Sequence, residues 1–99
     1  MTEEGFSKYG RAFQESLAQL IFSDRAFSDQ IREVLNIDFF ELKHLRVFVE
    51  IIYEHKDKYD THPSREAMAS ILKSSLDEQD KAIQKQIRDL FVRIVSATK

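Results

Sequence analysis

The sequence predicts an all-α fold, a compact bundle of about five helices. Apolar residues recur at three- and four-residue steps along most of the chain, the spacing of one helix face. Only two glycines and one proline occur in 99 residues, too few for the many turns of a β-sandwich or barrel. The composition is 42% hydrophobic with eight phenylalanines, which suffices for one core. We therefore predict a single helical domain over 1–99, with its core in 6–73 and a long terminal helix at 76–97.

The first helix is predicted to run from about Ser7 to Ser23. Side chains at three- and four-residue steps should form its buried stripe: Phe6, Tyr9, Phe13, Leu17, Leu20 and Ile21. Phe22 lies off this stripe and is expected to pack against the segment that follows.

A second, short helix is predicted to begin within 24–29, where Asp24 or Ser28 accepts hydrogen bonds from its first amides. Asn36 is expected to end it, because asparagine tolerates the left-handed conformation of a helix stop. Four residues supply the apolar face: Phe27, Ile31, Val34 and Leu35.

The third helix, predicted from about Leu42 to Tyr59 after a linker at 38–40, is the most apolar. One face is expected to be buried: Leu45, Phe48, Val49 and Ile52. Val47 and Ile51 widen the apolar arc. Such a helix is either central and covered on several sides or also meets a partner, and the central position is the expected one.

The fourth helix is predicted to begin at Pro63, whose missing amide costs nothing in a first turn. Ser64 or His62 would cap it. Its buried face is expected to comprise Ala67, Met68, Ile71 and Leu72.

The fifth helix is predicted to start at a capping box formed by Ser75 and Glu78. At about 20 residues it would be roughly 30 Å long, enough to project from the bundle. Its apolar face is wide: Ile83, Ile87, Leu90, Phe91, Ile94 and Val95. This face either docks wholly on the chain's own core or is partly meant for another chain, and the sequence leaves both open.

The sequence contains no catalytic or cofactor-binding pattern. Cysteine is absent, and Gly5 and Gly10 alone cannot form a phosphate-binding loop. The three histidines, His44, His55 and His62, have no metal-ligand spacing. We therefore expect no enzyme activity, no cofactor and no metal.

The charge and hydropathy patterns limit the partners. A formal charge of −2 predicts weak or absent direct binding to nucleic acid. No stretch approaches the roughly 20 apolar residues of a membrane span, and the acidic N-terminal sequence is wrong for a signal peptide. A cytoplasmic protein that binds other proteins is the expectation.

The stretch from Phe13 to Leu72 resembles the N-terminal domain of DnaB-type replicative helicases, particularly the versions encoded by bacteriophages. The first helix ends in Leu-Ile-Phe at 20–22, and an aspartate-phenylalanine element at 38–40 precedes the third helix. A polar loop then leads to His-Pro-Ser at 62–64. The resemblance rests mainly on hydrophobic spacing. The chain departs from it at 73–77, where bacterial members carry a glycine-containing segment, and it has no ATP-hydrolysing domain.

The resemblance implies a non-catalytic assembly and docking domain of the primosome, active in DNA replication in the cytoplasm of a bacterial host. Such a domain associates with its neighbours in a ring and binds a primase or a helicase loader. The fifth helix would be the first arm of the hairpin that pairs subunits, which would leave Leu90, Phe91, Ile94 and Val95 partly uncovered. The candidate protein-interaction residues are Arg88, Leu90, Phe91, Arg93, Ile94 and Val95.

Two alternatives remain open. One is a stand-alone regulator or adaptor of the replication machinery, which a reading frame ending at Lys99 would favour over an excised helicase domain. The other is a small helix-turn-helix DNA-binding protein, for which salt-dependent binding to duplex DNA would be diagnostic.

Overall fold

A computed structural model describes residues 10–74, 76 and 79–97, which form five α-helices, one short 3₁₀ helix and no strand. The all-α bundle predicted from the sequence is confirmed. The α-helices are α1 Gly10–Ser23, α2 Arg25–Ile31, α3 Lys43–Tyr59, α4 Arg65–Ser74 and α5 Lys81–Ala97, and the 3₁₀ helix is Ile37–Phe39. The predictions that involve Phe6, Ser7, Tyr9, Ser75 and Glu78 lie outside the described residues.

The central element is α3, which contacts α1, α5 and the 3₁₀ helix. Its predicted buried face is confirmed, because Leu45, Phe48, Val49 and Ile52 are all fully buried. The helix ends at Asp60, whose backbone is left-handed (φ 58°) and whose amide donates to the Lys56 carbonyl. The apolar arc of α3 is therefore wide because neighbours cover it on several sides.

The buried face of α1 differs from the predicted stripe. Phe13 and Leu20 are 40% and 41% exposed, whereas Gln14 is buried. The Gln14 amide oxygen accepts hydrogen bonds from the amides of Glu41 and Leu42, at 2.8 and 3.4 Å. This contact holds the start of α3 against α1 and turns Gln14 inward. Ala18, Ile21 and Phe22 complete the buried face.

The second helix begins as predicted and ends differently. The Asp24 carboxylate caps it by accepting a hydrogen bond from the Phe27 amide at 3.0 Å. The predicted stop at Asn36 is wrong, because α2 ends at Ile31 and Asn36 instead caps the 3₁₀ helix from an extended conformation. Val34 consequently lies in a turn and is 77% exposed.

The two C-terminal helices pack on each other and close the bundle. The hydroxyl of Ser64, rather than His62, caps α4 by accepting from the Ala67 amide at 3.0 Å. The fifth helix begins at Lys81 instead of residue 76, and Leu76 is buried in the non-helical connection.

The fifth helix docks on the bundle. Ile87, Leu90 and Ile94 are buried in the common core. The radius of gyration is 13.0 Å, the value expected of a globule of about 100 residues. Within the wide apolar face of α5, Phe91 and Val95 are only half-buried, so whether part of this face is meant for another chain stays a prediction.

Candidate protein-interaction groove

The predicted interaction surface on α5 is divided among three environments. Leu90 and Ile94 are 2% and 1% exposed, so the expectation that they lie uncovered is wrong. They sit on the face that packs against α3, where the core covers them. The other four residues, Arg88, Phe91, Arg93 and Val95, are exposed or half-buried.

Arg93 contacts the first helix. Its guanidinium lies 3.5 Å from the Glu15 carboxylate, which also accepts a hydrogen bond from Arg11 at 3.2 Å. His44 is buried nearby, and burial, followed by the charges of Arg11 and Arg93, lowers its pKa against the opposing effect of Glu15. Arg93 therefore has a structural partner within the chain.

Arg88 and Phe91 line a groove of about 470 Å³ between α4 and α5, here called the α4–α5 groove. Its apolar floor includes Leu72, which is nearly buried, and the half-buried ring of Phe91. Val92 lies on its edge and is 61% exposed. The α4 side also contributes Ala69, Ser70 and Lys73.

The groove carries two cations. Lys73 and Arg88 are exposed at its edge, and no acidic residue among those that the structure describes lines it. Within the described part of the chain neither cation has a carboxylate at ion-pair distance. The arrangement suits a ligand that is apolar in the middle and acidic at its margins.

Sequence reasoning found half of this groove. The predicted interaction residues include Arg88 and Phe91 but neither Val92 nor any residue of α4. The signal was present: Val92 follows Arg88 by four residues, so the two share a face beside the apolar stripe. No sequence pattern indicated that α4 forms the opposite wall.

The back of the groove is tied to the core by aromatic rings. Phe22 of α1 meets Phe91 of α5 and Phe48 of α3 edge-on, with ring centroids 5.8 and 6.0 Å apart. Edge-to-face pairs at this separation are favourable beyond their buried area. They give the groove a fixed rather than an adaptable floor.

A contrasting polar region, here called the His62 corner, comprises Asp29, Arg32, Lys56, Asp57 and His62 and borders a cleft of about 290 Å³. The Lys56 ammonium lies 2.6 Å from the Asp29 carboxylate and 3.1 Å from the His62 Nδ1. Arg32 donates to Asp57 at 2.8 Å. The corner joins α2, α3 and the connection to α4.

The tautomer of His62 follows from its partners. Lys56 has only donors, so Nδ1 accepts, and the proton on Nε2 is donated to the Phe22 carbonyl at 2.7 Å. Burial lowers the pKa of His62, the Phe22 hydrogen bond opposes this shift, and the Lys56 charge adds to it. His62 is thus held neutral as a connector between the end of α1 and α3.

Two exposed carboxyl groups in the same corner also respond to their partners. The hydrogen bond from Lys56 lowers the pKa of Asp29, and that from Arg32 lowers the pKa of Asp57. Tyr53 beneath them donates to the Ser28 carbonyl at 3.2 Å, and burial raises its pKa. These contacts are of the kind that fixes helices to one another.

A further surface depression, of about 510 Å³, lies between α3 and α4. Val47 and Ile51 are half-buried along it, and Glu50 and Glu54 stand at its edge. It continues to Leu76 and Gln79, next to residues outside the described part of the chain. The expected central position of α3 is confirmed, and the alternative of an additional partner contact stays untested.

The described residues contain no group of three or more histidines and carboxylates placed to hold a metal ion. Within the same ranges no helix is long and apolar enough to cross a membrane. Comparison with family models, curated proteins and solved structures finds no match to this chain.

Proposed function

We propose that this chain is a non-catalytic assembly and docking domain of a replicative DNA helicase. In this role it associates with other subunits and binds a primase or a helicase loader in the bacterial cytoplasm. The resemblance over Phe13 to Leu72 supports the choice of family.

The α4–α5 groove is the observation that carries the docking role. Its lining combines the half-buried ring of Phe91 with the exposed side chain of Val92, above the buried Leu72. Grooves between two helices are a recurring docking site for protein segments. Exposed apolar surface at a cleft edged by charge is characteristic of protein-binding sites.

The experiment has two arms. Light scattering coupled to gel filtration, over a wide range of protein concentration, measures self-association. Titration into the helicase, primase and loader of one replication system measures docking. We expect the chain to associate with itself or with at least one of these proteins. Arg88→Glu should weaken that association, because it replaces a cation at the groove edge with a carboxylate.

Lys85→Glu is the matched control. Lys85 lies on the same helix, is 76% exposed and does not line the groove, so its reversal makes the same charge change elsewhere. Equal effects of the two reversals would argue against the groove as the docking surface. A strict monomer that binds none of the three replication proteins would refute the proposed function.

A further inference from the structure

The borders of the α4–α5 groove resemble the surface that two packed helices present to a third. Ala69 and Lys73 on α4, and Arg88 and Val92 on α5, are each four residues apart, so two helix ridges border it. Ridges and grooves of this kind are what helices present to one another when they pack. Ala69 is small, which lets a partner backbone come close.

The charge of the groove is opposite in sign to that of the whole chain. The chain holds 17 acidic and 15 basic residues, yet the charged residues that line the groove, among those described, are Lys73 and Arg88. Neither is neutralised by a carboxylate within the described ranges. Each stands beside apolar surface, at Leu72 and Val92. A complementary segment therefore needs carboxylates beside its apolar side chains.

We infer that the α4–α5 groove binds an amphipathic helix of a partner protein whose apolar stripe is flanked by Asp or Glu. The apolar side chains lie over Leu72, Phe91 and Val92, and the flanking carboxylates meet Lys73 and Arg88. This inference rests on the proposed docking function and adds the chemistry of the partner.

Two designed helical peptides of equal length test it. Both carry leucine at i, i+3, i+4 and i+7, and one has glutamate on both flanks where the other has lysine. Fluorescence anisotropy of labelled peptides measures binding to the full chain. We expect the glutamate peptide to bind roughly tenfold more tightly than the lysine peptide. Its glutamates form two exposed charge contacts, with Lys73 and Arg88, and together these are worth about that factor. Equal affinities, or no binding of either peptide, would overturn the inference.

A charge exchange separates the groove from general electrostatics. The double variant Lys73→Glu/Arg88→Glu should prefer the lysine peptide, whereas Lys85→Glu should keep the parental preference. Val92→Ser should weaken binding of the glutamate peptide without changing the preference. Circular dichroism confirms that each variant is folded. A preference that responds equally to Lys85→Glu would contradict the inference.

A labelled DNA duplex provides the competing outcome. If the parental chain binds the duplex and the double variant does not, Lys73 and Arg88 bind nucleic acid. The inference that the groove binds a partner helix is then wrong. The peptide result is also independent of the helicase assignment. Peptide binding by a chain that neither self-associates nor binds helicase, primase or loader would overturn the proposed function alone. Association in either arm without peptide binding would overturn the partner chemistry alone.

Discussion

The His62 corner and the α4–α5 groove both lie between helices and both contain basic side chains, but they use them differently. In the corner, Lys56 and Arg32 each contact a carboxylate, at 2.6 and 2.8 Å. In the groove, Lys73 and Arg88 have no such partner among the described residues. Paired charges in the corner fix the positions of α2 and α3. The floor of the groove belongs to the core, but its exposed cations make no such contact in the described part of the chain, which leaves them available for a ligand.

The largest effect is expected at Phe22, which touches both regions. Its ring lies 5.8 Å from that of Phe91 and 6.2 Å from that of His62. Phe22→Ala should lower the free energy of unfolding by about 3 to 5 kcal/mol, because it leaves a cavity in the core. Urea unfolding followed by circular dichroism measures this. Phe13→Ala, on the same helix but 40% exposed, should cost about 1 kcal/mol. Similar costs for both would contradict the core position of Phe22.

The next effect concerns the ion pair of the corner. The Lys56 side chain is only 9% exposed, whereas Lys85, which pairs with Asp89, is 76% exposed. A double-mutant cycle with Asp29→Asn and Lys56→Met should give a coupling energy roughly twice that of the Lys85–Asp89 cycle, because water screens the exposed pair more strongly. A coupling no larger than that of the exposed pair would mean that the corner does not fix α2 to α3.

A smaller effect should follow pH. Burial lowers the pKa of His44 and His62 below the ordinary value of 6.5, so the folded state favours the neutral form of each side chain. Their contribution to stability is complete above pH 6.5 and is lost as the pH falls through the lowered pKa of each histidine. The slope of unfolding free energy against pH should be positive below pH 6.5 and smaller in His62→Gln. An unchanged slope in that variant would exclude His62 as a contributor.

The smallest effect on stability is expected in the groove. Val92→Ser and Arg88→Glu should each change the free energy of unfolding by about 0.5 kcal/mol or less, because both side chains are exposed. Chemical denaturation compares them with the parental chain. A loss of several kcal/mol would show that the groove is part of the folding core, and the contrast with the His62 corner would disappear.

Local patterns were sufficient to predict much of the fold. The buried face of α3 was predicted correctly because its apolar residues follow one uninterrupted helical period. Caps at Asp24 and Ser64 were among the predicted positions, since a side chain that caps a helix is its near neighbour in sequence. These features depend on residues a few positions apart.

The errors arose where distant segments meet. Gln14 is buried because its amide satisfies the backbone at 41 and 42, a contact that helical spacing cannot indicate. The family resemblance implied that Leu90 and Ile94 are partly uncovered, and they are buried because α5 lies against α3. Only the α5 side of the groove was predicted, for the same reason. Residue spacing indicates the faces of α5 but does not indicate which helix lies beside each face.

The contact of Phe22 with Phe48 and Phe91 also bears on the order in which the chain is made. Synthesis delivers α1 and α3 before α5, so Phe22 and Phe48 leave the ribosome while Phe91 is still to be added. During that interval the side of Phe22 that later meets Phe91 stays open to water and to other nascent chains. The arrival of α5 therefore covers the last open side of this aromatic contact.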